Sequence, residues 1–106
     1  MDADNAQAGP PAAFAVCTAC HTVSADGSNG MGPNLRGVIG RRAGTAKGFS
    51  YSPAMNNAGI IWTAEQLDAF IASPGRAIPG NFMALPGIQD PAKREAIIDY
   101  LISLGQ

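Results

Sequence analysis

Cys17-Thr18-Ala19-Cys20-His21 is the stretch whose reading decides this chain. It has the form C-x-x-C-H, the attachment signature of a c-type haem. The reason is geometric. Two thiols about one helical turn apart can add to the two vinyl groups of haem as thioethers, and the next residue then presents an imidazole to the iron. Three other uses of the motif fit less well. A thioredoxin-like redox pair needs a helix start after a strand, and no βαβ pattern surrounds these cysteines. A zinc site needs about four ligands, whereas the chain offers two cysteines and a single histidine. A structural disulfide over so short a loop would leave His21 without a purpose.

The composition around the motif agrees with a cofactor-organised domain. The 106 residues are 46% hydrophobic and only 14% charged, with a formal net charge of −1. That excludes a disordered or nucleic-acid-binding class. A chain of this length forms one domain with a thin margin of burial. Glycine (13) and proline (8) make up about a fifth of it, so much of the backbone is loop and needs something central to fold around. No run reaches the roughly 18–20 apolar residues of a membrane span. No basic segment followed by an apolar one opens the chain, so we expect a mature or trimmed form without its export signal. Residues 1–8 are expected to be a flexible tail and residues 9–106 the domain.

Outward from the motif, the pattern is helical and interrupted. The Ala-rich run 11–20, with Phe14 and Val16, predicts a first helix carrying both cysteines near its end, with Pro10 or Pro11 in its first turn. Residues 22–48 read as loop, punctuated by glycines. A short helical turn is expected over 53–58. Thr63 and Gln66 form a capping box flanked by Trp62 and Leu67 as a staple, predicting a helix that runs to Ala72 and stops before Pro74. Residues 77–88 return to loop. Asp90-Pro91 opens a last helix whose stripe is Ile97, Leu101 and Leu104, broadened by Ile98 and Ile102. Three main helices, long loops and no strand pattern give an all-α fold.

An iron held by His21 needs a ligand on its other face. With one histidine in the chain, that ligand is a methionine, and His/Met ligation raises the potential into the range of electron carriers. Met31 follows His21 too closely to reach the opposite face easily, and Met55 sits in a short turn. Met83 lies in an apolar yet helix-breaking loop, Ile78-Pro79-Gly80-Asn81-Phe82-Met83-Ala84-Leu85-Pro86-Gly87. A loop this apolar should cover something, and that selects Met83.

The chain resembles the class I c-type cytochromes, mitochondrial cytochrome c and its bacterial relatives, over residues 9–104. The likeness is carried by the haem motif, Gly32-Pro33-Asn34-Leu35, Gly40-Arg41, Gly48-Phe49-Ser50-Tyr51, Gly59-Ile60, Trp62, Ile78-Pro79-Gly80, Met83 and Ile98-Asp99-Tyr100-Leu101. It implies a small cytochrome c fold wrapped around one haem c, thioether-linked to Cys17 and Cys20. It also implies that the Pro33 carbonyl accepts from the free ring nitrogen of His21. Arg41, Tyr51 and Trp62 would hold a haem propionate. Leu35 and Leu101 would line the crevice, and Tyr100 would pack across the first helix.

The departures are also informative. Phe70 stands where the mitochondrial proteins have a tyrosine whose hydroxyl reaches the methionine sulfur. Met55 stands where the family often has asparagine, and Leu85 replaces an aromatic at the haem edge. Phe14 is displaced by one from the usual aromatic of the first helix, whose place Ala13 takes. Lys47 and Lys93 are the only lysines, so docking through a lysine ring is not expected. An apolar contact through Phe82, Ala84, Leu85 and Pro86 is, the equal alternative being that these residues serve only to roof the haem.

The function expected is a soluble one-electron carrier, not an enzyme, working between redox proteins such as a membrane oxidase, a reductase or a bc-type complex. We expect a periplasmic monomer, the mitochondrial intermembrane space being the second compartment. Two other readings are a haem protein whose labile Met83 yields to peroxide or a small ligand, and the cytochrome domain of a larger or membrane-anchored redox protein.

Overall fold

A computed structural model describes residues 10–83 and 85–105; the expected tail 1–8 and Ala84 lie outside the described residues. The helices follow from local signals. α1 (Ala15–Thr18) is preceded by a 3-10 turn, Ala12–Phe14. α2 spans Pro53–Asn56, α3 Ala64–Ala72, α4 Pro74–Ala77 and α5 Pro91–Ser103. Among the described residues the only β pairing is a bridge between Arg42 and Ile61, so the expected all-α layout holds.

α5 begins where the sequence places it. The Asp90 carboxylate accepts from Ala92 N at 2.9 Å, and Pro91 occupies the first turn, where a missing N–H costs nothing. Its buried stripe is Ile97, Ile98 and Leu101, with Leu104 half-buried. Ile102 does not broaden it and is 48% exposed. At 100° per residue it lies about 140° around the helix from Ile97, on the solvent side.

In α3, Leu67, Phe70 and Ile71 face the core at the i, i+3, i+4 spacing. The Thr63 hydroxyl accepts from Gln66 N at 3.1 Å, but only this half of the capping box forms. Thr63 N already donates to Ile61 O at 2.8 Å, which leaves the Gln66 side chain nothing to cap. The helix stops at Ala72 because Ser73, ahead of a proline, is extended (φ −160°). The chain then re-forms one turn as α4, which the sequence reading left as the approach to a loop.

The first helix is the main correction. In place of one helix over 11–20, the chain winds as the 3-10 turn and then a single α turn. Cys20 lies beyond α1, although Cys20 N and His21 N both still donate to Cys17 O, at 3.1 and 2.8 Å. The tighter winding puts Phe14, not Ala13, on the inner face. Phe14 is fully buried, its ring 5.0 Å from that of Tyr100 at 59°. This contact crosses the N-terminal segment over α5, and α5 in turn packs against α3.

Arg94 locks the assembly. Its Nε donates to Asp68 in α3 at 2.7 Å, and its Nη1 donates to Ile88 O at 2.8 Å and Gln89 O at 3.1 Å. The end of the 77–88 loop is thus tied to both long helices. At Gly87 (φ +122°) a Cβ would run into the Ala72 carbonyl oxygen, so only glycine passes there. Phe14→Ala should destabilise the folded protein by about 3–5 kcal/mol. Ile102→Ser should stay within about 0.5 kcal/mol. Denaturant unfolding of both variants checks this, and similar losses in the two would contradict the crossing described.

Candidate functional site

The site is built on three segments that the fold brings together. His21 follows α1 directly, and its Nδ1 lies 2.8 Å from the Pro33 carbonyl oxygen. With the carbonyl able only to accept, the ring must carry its proton on Nδ1, which leaves Nε2 with a free lone pair. Burial lowers the imidazole's pKa; the Pro33 carbonyl opposes this and the Arg41 charge adds to it. The result favours a neutral ring able to ligate a metal. Gly32 backs onto that ring so closely that a Cβ would sit 2.6 Å from Cε1. Gly32 N also donates to Cys20 O at 2.8 Å. Cys17 is half-buried and Cys20 exposed, and the two are free thiols. Burial pushes the Cys17 thiol up to about 11, so at neutral pH it stays protonated.

Asn34 holds this corner. Its buried amide donates to Ser24 O and Ser28 O, both at 3.0 Å, and its side-chain oxygen accepts from Arg36 N at 2.8 Å. Its main-chain N–H donates to Asn29 at 2.8 Å, and its carbonyl accepts from the Arg41 guanidinium at 2.9 Å. Asn34 was part of a family landmark in the sequence but received no role there. Neither did Gly32.

Arg41 and Trp62 come together by backbone pairing. Trp62 N donates to Arg41 O at 2.8 Å and Gly40 N to Trp62 O at 2.8 Å. Burial weakens the Arg41 charge, with Tyr51 near enough to oppose the effect. The Tyr51 hydroxyl accepts from Ala46 N at 3.0 Å, so its own proton is still available to donate. Among the described residues no carboxylate pairs with Arg41, and no acceptor meets the indole N–H of buried Trp62. A half-buried guanidinium with a phenol near it, on a strand-like segment paired with that of Trp62, fits an anionic group brought into the site, as a haem propionate would be. Phe70 packs its ring edge-on to Trp62, 5.2 Å between centroids.

The third segment carries Met83. It is half-buried against the core, as is Leu35. Asn81 sets its position: the side chain donates to Pro74 O (2.9 Å) and Ile78 O (2.8 Å) and accepts from Met83 N (2.7 Å). Asn81 thereby ties the loop to the carbonyl of the first residue of α4 and to that of Ile78, just past its end. The composition of 77–88 marked the loop but not this clamp. Of the other methionines, Met31 is 82% exposed, while Met55 lies on α2 with its N–H on Ser52 Oγ.

Comparison with known proteins agrees with this geometry. The family model for cytochrome c matches residues 6–105. The chain is similar to cytochrome c2 iso-2 of Magnetospirillum fulvum, 47% identical over 94 residues, covering 89% of this chain and 97% of that one. It is also similar to cytochrome c of Trypanosoma brucei brucei, 44% identical over 78 residues, 74% of this chain and 84% of the other. Among solved structures it is similar to cytochrome cH from Methylobacterium extorquens, with a TM-score of 0.82 and 39% identity, covering 97% and 99% of the two chains.

Two outcomes test this corner. Gly32→Ala should lower both the yield of haem-loaded protein and its unfolding midpoint, because the new methyl group displaces the His21 ring; an unchanged yield and midpoint would refute the close packing. The Asp26 carboxyl is held near 2 by Ser28 N–H, then by the Ser24 and Ser28 hydroxyls. A depressed folded pKa stabilises above the unfolded value of about 4 and is lost as pH falls through about 2. NMR titration of Asp26 should therefore show a midpoint near 2; one near 4 would contradict the bonded loop.

Proposed function

The chain belongs to the cytochrome c family, and on that premise we propose that His21 and Met83 are the residues that would hold its haem iron. The protein is an electron carrier with one haem c attached covalently, and it is not an enzyme. Its partners are redox proteins. When bound, the haem supplies all the redox chemistry, one electron gained or lost at iron.

The observation that carries the ligand assignment is the His21 ring, fixed on Pro33 with Nε2 free beside two unbridged thiols. His21 serves as a neutral, oriented nitrogen donor. Met83 supplies a soft thioether from a loop anchored at both ends, by Asn81 and by Arg94. A ligand loop tied down in this way limits rearrangement when the charge at the site changes. Arg41, Tyr51 and Trp62 would hold a propionate, and Leu35 would line the crevice. Phe70 offers Met83 no hydroxyl.

The partners we propose are membrane-bound respiratory complexes, an oxidase, a reductase or a bc-type complex, and the compartment is the periplasm. Thioether attachment of haem takes place outside the cytoplasm, and bacterial cytochrome c2 relatives are among those most similar in sequence. No helix of the described residues is long and apolar enough to cross a membrane.

The oxidised protein should show the weak near-infrared band of iron–methionine ligation, and Met83→Ala should abolish it. Persistence of the band in that variant would transfer the role to Met55 or Met31.

A further inference from the structure

Met83 sits in a segment with few ties to the rest of the chain. Among the described residues 82, 83 and 85–87, the one hydrogen bond runs from Met83 N to Asn81 Oδ1, at 2.7 Å. The next main-chain bond downstream is Ile88 N to Ile71 O, at 2.9 Å. Whatever fixes the main chain at Met83 therefore passes through Asn81.

Asn81 is itself tied to the core. Its side-chain NH2 donates to Pro74 O at 2.9 Å and to Ile78 O at 2.8 Å. Its main-chain N–H also reaches Ile78 O, at 3.2 Å. Both anchoring residues are buried, Pro74 fully so, and Ile78 N closes back on Pro74 O at 3.1 Å. The α4 turn is thus a fixed point, and one amide carries its position across to Met83. Asparagine suits the task because a single planar group supplies two donors and an acceptor. Aspartate would keep the bond to Met83 N but could not donate to the two carbonyls. Alanine would lose all three side-chain bonds.

Resting on the reading of Met83 as a ligand, we propose that Asn81 is the positioning residue that keeps outside donors from taking the place of Met83. A segment held by one hydrogen bond opens locally without global unfolding. The fraction of molecules in which it is open sets how readily a competing donor enters. With Asn81 in place the open fraction is small, and the protein remains a carrier. Without Asn81 the same chain becomes a haem protein open to small nitrogen donors. The choice between carrier and labile-ligand behaviour therefore rests on a loop asparagine two residues before Met83, not on the methionine alone.

Imidazole is the probe, mixed with ferric holoprotein at neutral pH, and the limiting rate at which the near-infrared methionine band disappears is followed. Asn81→Ala and Asn81→Asp should each raise that rate about tenfold or more. Gln89→Ala removes a bond at the far end of the loop, to Ala72 O at 3.2 Å, and should stay within about twofold of the unsubstituted protein. Asn81 variants no faster than Gln89→Ala would overturn the positioning role. An Asn81→Asp rate equal to that of the unsubstituted protein would overturn the anchoring on α4 from which the role follows. Hydrogen exchange tests the same bond without a variant. In the ferrous holoprotein, after correction for intrinsic rates, Met83 N–H should exchange about tenfold or more slower than Phe82 N–H, which has no partner among the described residues. Equal rates would overturn the proposal even where neither variant takes up haem. The ligand reading is tested apart from it: a near-infrared band that persists in Met83→Ala removes that reading. A band lost there, with unmoved imidazole rates in the Asn81 variants, removes only the positioning role.

Discussion

The hydrogen bond between His21 Nδ1 and the Pro33 carbonyl is the contact on which the site depends. A free imidazole can rotate and can carry its proton on either nitrogen. This one is confined by the carbonyl on one side and by Gly32 behind it, and only one lone pair remains to bind metal. The carbonyl itself does not float: Pro33 is followed by Asn34, whose amide and main chain are bound to five neighbouring groups including Arg41. Imidazole orientation and guanidinium placement therefore share one support, so a disturbance at Asn34 reaches both His21 and Arg41.

The two faces of the site are secured by different means. On the histidine side the chain is held by short-range hydrogen bonds within 20–36, a loop without regular structure. On the methionine side a loop of low polarity is pinned at its ends, by Asn81 on the Pro74 and Ile78 carbonyls that flank α4 and by Arg94 near Ile88. Arg94 also pairs with Asp68, so the end of this loop, α3 and α5 are joined through one side chain. Between the pins the loop exposes Phe82. The same segment thus turns Met83 toward the core and Phe82 toward solvent.

How far the sequence could be read differs from element to element. Helix starts with a side-chain cap were legible because the cap is local: Asp90 and Thr63 act within three residues of themselves. The first helix was misread in length, because an Ala-rich composition favours helix while two leading prolines and a burial demand at Phe14 impose a tighter turn. Ile102 is apolar without being buried, because its angular position on α5 faces solvent. Gln66 was misassigned because its expected partner, Thr63 N–H, was already used by Ile61. The Asn81 clamp and the Asn34 network escaped notice because asparagine in a loop looks like a turn residue until its tertiary acceptors are known.

The sequence by itself determined the chemistry of this protein. Spacing within Cys17-Thr18-Ala19-Cys20-His21 is a covalent and local property, as are residue type at Met83 and the want of charge in the flanking segments. These do not depend on how distant parts of the chain meet. The tertiary structure decided which side chains meet and which stay exposed: it paired the backbones of Arg41 and Trp62 with Tyr51 near the guanidinium, turned His21 on Pro33 and left Phe82 and Met31 in solvent. Such relations join residues tens of positions apart, and burial and hydrogen-bond competition settle them only when the chain closes on itself.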